Sequence, residues 1–106
     1  MAQIKWTQKA DRLFGQFVFN AFLEFGRKTS MKWVQQRIAF VDRVKKHPES
    51  YTPEPLLADR KHLYRSCHIM RRFKIVFYYS KSSDIVHIVD IWDTKMSPEN
   101  LIKRIK

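Results

Sequence analysis

The stretch Arg71-Arg72-Phe73-Lys74-Ile75-Val76-Phe77-Tyr78-Tyr79 decides the fold, together with Asp84-Ile85-Val86-His87-Ile88-Val89-Asp90-Ile91-Trp92-Asp93-Thr94-Lys95 beyond the turn residues Ser80-Lys81-Ser82-Ser83. Two runs rich in β-branched and aromatic residues flank a polar break, which predicts a β-hairpin. Successive strand side chains take opposite faces. Phe73, Ile75, Phe77 and Tyr79 therefore share one face, and Arg72, Lys74, Val76 and Tyr78 the other. The first reads as core. The second carries cations that a core does not need.

Pairing chemistry suggests a register. Joining Tyr79 to Ile85 across a five-residue loop sets Phe77 against His87, Ile75 against Val89 and Phe73 against Ile91. His87 then faces the core as a structural histidine. On the outer face Val76 meets Ile88, Lys74 meets Asp90 and Arg72 meets Trp92, whereas a one-residue slip would mix the faces. The ion pair would contribute about 0.2–1 kcal/mol, and an exposed cation–π contact about 0.5–1 kcal/mol. Such pairs are ordinary sheet adhesion. Read functionally, Arg72, Lys74 and Trp92, with Lys95 at the strand exit and Arg65 from the strand before, form a positive platform suited to phosphate and base contact.

Upstream, Gln3-Ile4-Lys5-Trp6-Thr7 alternates as a short first strand. Thr7 then caps a helix running to Gly26, a C′ glycine. Its stripe is Ala10, Leu13, Phe14, Phe17, Val18, Ala21, Phe22 and Phe25, at i, i+3, i+4 spacing. Phe19 and Leu23 fall off this stripe. They pack beneath a second helix, the preferred reading, or form a partner surface. Thr29 or Ser30 opens that second helix, which buries Trp33, Val34, Ile38, Val41 and Val44 and ends before Pro48. The short Arg27-Lys28-Thr29 link makes the pair an antiparallel hairpin. Prolines 48, 53 and 55 stiffen an irregular segment to Asp59, and a strand follows over Lys61 to Ile69. Ser97-Pro98-Glu99 starts a short basic helix to Lys106. The expected fold class is α+β, in the order β-α-α-β-β-β with a short C-terminal helix: an N-terminal helical hairpin on one face of a small, mainly antiparallel sheet, all in a single domain over residues 1–106.

Composition narrows the function. With 21 Lys and Arg against 10 Asp and Glu, the net charge is +11, which draws polyanions or acidic proteins. Cys67 is the only cysteine, so there is no disulfide framework. Cys67 and His68 are adjacent, so in a strand they point to opposite faces and make no nucleophile–base pair. The four histidines lack metal-ligand spacing, and no glycine-rich phosphate loop is present. No metal and no cofactor are expected. Cations interrupt any signal-like apolar run near the start, and Phe14 to Phe25 is too short to span a bilayer. A cytoplasmic protein without membrane contact is expected.

Phe73-Lys74-Ile75-Val76-Phe77-Tyr78, the run Val86 to Pro98 with its Trp92-Asp93-Thr94-Lys95 corner, and Tyr64-Arg65 entering the preceding strand resemble the RelE/ParE superfamily of type II toxin–antitoxin toxins. The specific part of the likeness is residues 64–98. It implies a small basic toxin of the plasmid-stabilisation kind that inhibits growth and is held inactive by a cognate antitoxin. RelE-like members cleave messenger RNA on the ribosome. ParE-like members poison DNA gyrase. Lys74, Lys95 and Arg65 fall at or near cationic positions of the nuclease branch, but no His or Tyr follows His87 to move protons there. Losing an acid–base group costs about 10²–10⁴ in rate. The resemblance therefore favours a ParE-like gyrase inhibitor, the alternative being a ribosome-dependent endonuclease; whether the chain is an enzyme, and which residues would be catalytic, stay open. Trp92 to Lys95 and the basic segment Lys103 to Lys106 are candidate target contacts, with Phe19 and Leu23 as antitoxin contacts.

Overall fold

The computed structural model describes residues 1–105. Strand β1 (Gln3–Trp6) leads into helices α1 (Gln8–Phe25) and α2 (Arg27–Lys46), then strands β2 (Tyr64–Ile69), β3 (Phe73–Ser80) and β4 (Ile85–Asp93), and helix α3 (Pro98–Arg104). The sheet order is β1-β4-β3-β2, with β1 parallel to β4 and the other neighbours antiparallel. This is the expected α+β architecture.

Thr7 caps α1 as expected, its hydroxyl accepting from the Ala10 amide at 3.1 Å. Gly26 both ends α1 and begins α2, at φ 90° and ψ −178°. That backbone region is essentially restricted to glycine, so one residue turns the chain between antiparallel helices. The link expected at Arg27-Lys28-Thr29 is instead the first turn of α2. Strand β2 likewise starts at Tyr64 rather than Lys61, because residues 58–63 continue the turn that follows a 3₁₀ turn at Pro55–Leu57.

The helical face of the sheet is sealed by rings. Phe14, Phe17, Trp33 and Phe73 form a chain of aromatic contacts with centroids 4.7–5.9 Å apart. Phe40, which the sequence stripe omits, is buried against Phe77 and Tyr51. Val34 and Ile38 are exposed instead, because α2 aims Ser30, Trp33, Phe40 and Val44 at the sheet. Phe22 and Phe25 of α1 also face outward.

The hairpin register differs from the expected one. The loop is one residue shorter, so Tyr79 pairs with Val86 and Phe77 with Ile88. A bulge then leaves Val89 unpaired and sets Val76 against Asp90, Ile75 against Ile91 and Lys74 against Trp92. Val86, Ile88 and Ile91 consequently face the helices. Strict alternation cannot put all three on one face; the inserted residue of the bulge does. Thr7 secures this point, its amide donating to Ile88 O at 2.9 Å and its hydroxyl to Val89 O at 3.4 Å.

The opposite face of the sheet holds a second, smaller core of Leu57, Tyr64, Val76, Trp92, Leu101 and Ile105. The 3₁₀ turn and α3 cover it. Arg60 fastens that cover by donating to Ile105 O at 2.9 Å and Ile102 O at 2.8 Å. Ser97 stands at the N-cap of α3 without a side-chain cap bond, and α3 ends at Arg104 rather than Lys106, which lies outside the described residues.

Candidate functional site

The proposed platform begins with Lys74 and Trp92. They are cross-strand partners, with the ammonium 5.8 Å from the indole centroid. The cation–π partner of Trp92 is thus Lys74, not Arg72. Trp92 itself is buried beneath α3, so its ring offers no open face.

Lys74 does lie on the face away from α1 and α2, as expected, but it does not pair with Asp90. Its ammonium donates to Glu54 Oε1 at 2.8 Å. Glu54 is almost fully buried and also accepts from the Leu56 amide at 3.1 Å and the Ser66 hydroxyl at 3.0 Å. Burial pushes its pKa up, but the bonds from Lys74, Leu56 and Ser66 together hold it below the usual value. No feature of the Pro53-Glu54-Pro55 segment announces this role. The only signal was a lysine entering a half-buried strand position, which requires an anion somewhere.

Asp90 instead accepts from Arg104 at 2.6 Å and lies 4.0 Å from Lys9. Burial raises its pKa, against the opposing pull of those two cations. The pair ties α3 to the sheet.

Arg72 clamps Asp93 through two bonds, Nε to Oδ1 at 2.8 Å and NH2 to Oδ2 at 2.5 Å. The guanidinium bonds hold the Asp93 carboxyl below its usual range, and the Lys95 amide adds a third donor at 3.0 Å. Arg65 lies on the other face. It sits opposite Phe77 and donates to Tyr51 O at 2.5 Å. Of the five platform candidates, only Lys95 is exposed and outside every ion pair among the described residues.

The structure therefore joins Lys74 with Trp92, puts Arg72 and Lys95 together at Asp93, and separates Arg65 from both groups. Two of the four candidate cations, Lys74 and Arg72, are neutralised from within by Glu54 and Asp93.

His87 also departs from expectation. It faces outward, stacked on Tyr78 at 4.7 Å with planes 17° apart, and Tyr78 is stacked in turn on His62 at 4.0 Å and 7°. The register change carries His87 to this face, where Phe77 is no longer its neighbour. Burial, then the charges of Lys5 and His62, lower its pKa.

Phe19 and Leu23 do not pack beneath α2. They are 60% and 66% exposed, and Phe22, Met31, Val34 and Ile38 of the same hairpin are exposed with them. Seven of the eleven exposed large apolar side chains among the described residues are on α1 and α2, where Arg12, Arg27, Lys28 and Lys32 are exposed too. Single exposed apolar residues need no explanation, whereas a grouped set marks an interaction site.

No group of His, Cys, Asp and Glu among the described residues is arranged to hold a metal ion. No helix among them is long and apolar enough to cross a membrane.

No family model matches the sequence, and no curated protein does. Solved structures do match. A chain of the chromosomal ParDE TA system from P. aeruginosa superposes with a TM-score of 0.68 at 19% identity, over 88% of this chain and 96% of that one. A metal-bound toxin from Helicobacter pylori gives a TM-score of 0.65 at 17% identity, over 90% of this chain and 97% of the other. At these identities the likeness concerns the fold alone: the chain shares the fold of these two proteins.

Proposed function

We propose that the chain is the toxin of a type II toxin–antitoxin pair, that it acts without catalysis as an inhibitor of DNA gyrase, and that an acidic, amphipathic antitoxin neutralises it by covering the outer face of α1 and α2. The observation that carries this reading is the uncovered apolar face around Phe19 and Leu23 on a chain of net charge +11. A helix or strap with an apolar side and carboxylates along its rim would bury the first and neutralise part of the second. The fold shared with a chain of a ParDE system supports the same assignment.

The choice of gyrase over messenger RNA rests on the ion pairs. In-line attack by a ribose hydroxyl needs cations free to hold the phosphate and groups free to move protons. Lys74 and Arg72 are engaged by Glu54 and Asp93, and Arg65 is turned away. Blocking a protein target requires only a surface. Lys95 and the exposed Lys103 of α3 are the cations that surface offers, and the action belongs in the cytoplasm, where gyrase works on DNA.

The test uses purified protein in two assays. Inhibition of gyrase supercoiling, relieved by the cognate antitoxin, with transcripts left intact in a translating extract, is the expected result. Ribosome-dependent cutting of transcripts with gyrase unaffected would replace this reading with the endonuclease alternative.

A further inference from the structure

The outer face of the sheet carries a feature that the toxin reading does not use. His87, Tyr78 and His62 form a three-ring stack across β4, β3 and the segment preceding β2. Tyr64, directly opposite Tyr78 in the sheet, meets both Tyr78 and His62 edge-on at 5.5 and 6.0 Å. Tyr64 is buried, so the stack rests on a fixed base. His62 is its terminal ring. Tyr78 covers one of its faces at 4.0 Å, while the residue as a whole is exposed and lines the adjoining cleft.

That ring borders a cleft of about 310 Å³ whose walls include Pro53, Pro55, Leu57 and Tyr64, with Glu54, held by Lys74, and Arg60 among them. Lys61 and Leu63 line the same cleft and are exposed beside His62. Lys5 is the cross-strand partner of His87 at the far end of the stack. A flat ring held from behind, a partly apolar slot beside it and the exposed Lys61 one residue away suit a planar base attached to a phosphate.

We infer that this corner binds an unpaired nucleic-acid strand, stacking one base on the face of His62 away from Tyr78 while Lys61 contacts the adjoining phosphate. Stacking on a ring already ordered by its neighbours avoids the cost of immobilising a side chain on binding. It tolerates any base, since every base has a π-face. The net charge of +11 supplies the general attraction for the backbone. Burial, then the charges of Lys5 and His62, lower the His87 pKa, which favours the neutral ring at the far end of the stack. A duplex does not fit, because its bases already stack on one another. The inference does not rest on the toxin assignment, and its test needs neither gyrase nor antitoxin.

The experiment titrates the full chain into labelled oligothymidylate and oligouridylate of about twelve nucleotides, reading anisotropy at about 50 and 200 mM salt. Both strands should bind, with affinity falling as salt rises. A preference for one strand supports the site and identifies its natural ligand as DNA or RNA. His62→Ala should weaken binding about 5- to 100-fold, the range of a lost base stack. His62→Phe should stay within about threefold of the parent, since the ring face is kept. Lys61→Ala should reduce the slope of log affinity against log salt by about 1. His62 is exposed, so these variants should keep the parent's thermal midpoint, checked alongside. Unchanged affinity in His62→Ala overturns the proposal. So does an equal loss in His62→Phe, which would make the contribution one of the imidazole nitrogens rather than of the ring face. Equal or tighter binding of a duplex, or competition by an acidic peptide that also depends on His62, would overturn it as well.

Discussion

Lys74, the strand cation that the sequence offers to a partner, holds its ammonium 2.8 Å from Glu54, a carboxylate that the fold buries. The pair joins the proline-stiffened segment to the start of β3. It also engages one cation of the outer sheet face. A buried pair adds little beyond an apolar substitute of similar shape, but removing one partner strands the other charge.

Glu54→Gln and Lys74→Met should each destabilise the fold by about 3 kcal/mol. The double variant should recover a large part of that loss. Urea denaturation of the three variants gives the coupling directly, and additive losses would show that the pair is not a unit. The reversal Lys74→Glu would set two carboxylates side by side, so it is expected to unfold the chain rather than to report on a surface.

Acid should weaken the fold in a defined window. The Glu54 and Asp93 pKa values are both lowered, so their stabilisation is complete above the unfolded values of 4.5 and 3.8 and is lost as pH falls through the folded ones. Asp90, whose pKa is raised, acts in the opposite sense: its contribution is present below 3.8 and fades as pH rises through its folded value. The denaturation midpoint should therefore decline below about pH 4.5. Glu54→Gln should converge on the parent there, because the parent protonates the same site.

Gly26→Ala should cost about 1–3 kcal/mol through backbone strain alone. A Cβ at that position meets no atom within 4 Å, so crowding contributes nothing. Thermal unfolding of Gly26→Ala beside Gly15→Ala, where a Cβ is equally unobstructed and the helix favours alanine, separates the two terms. Loss in the first and gain in the second is the expected pattern.

Replacing both Phe19 and Leu23 with serine should leave stability within about 0.5 kcal/mol, since exposed positions rarely matter to folding. Antitoxin affinity should fall at least about 30-fold, as loss of a binding hot spot does. Unchanged affinity in titration calorimetry would move the antitoxin to another face.

Lys95→Glu should relieve growth arrest without moving the thermal midpoint, because Lys95 is exposed and outside every ion pair among the described residues. Full arrest by a folded Lys95→Glu variant would exclude the Trp92 to Lys95 corner as the target contact.

The element order, the Thr7 cap, the end of α1 at Gly26 and the inward face of β3 were all legible, because each depends on residues within a few positions of one another. The register of β3 against β4 was not. A bulge at Val89 costs one unpaired residue locally and is repaid by Thr7 and β1, which lie some eighty positions away. Phe40 went unseen for a related reason. Helix α2 has apolar residues on two sides, and only the position of the sheet decides which side is buried.

What the chain determined alone is therefore its α+β layout, its excess of positive charge and the oily inner face of Phe73, Ile75 and Phe77. Tertiary structure decided which cations remain free. Charge is a property of composition, but availability depends on whether folding brings an acid within reach, and Glu54 reaches Lys74 from twenty residues away. It also decided that Phe19 and Leu23 stay uncovered and that His62, Tyr78 and His87 meet. Those outcomes depend on packing between distant segments, which no local pattern of residues records.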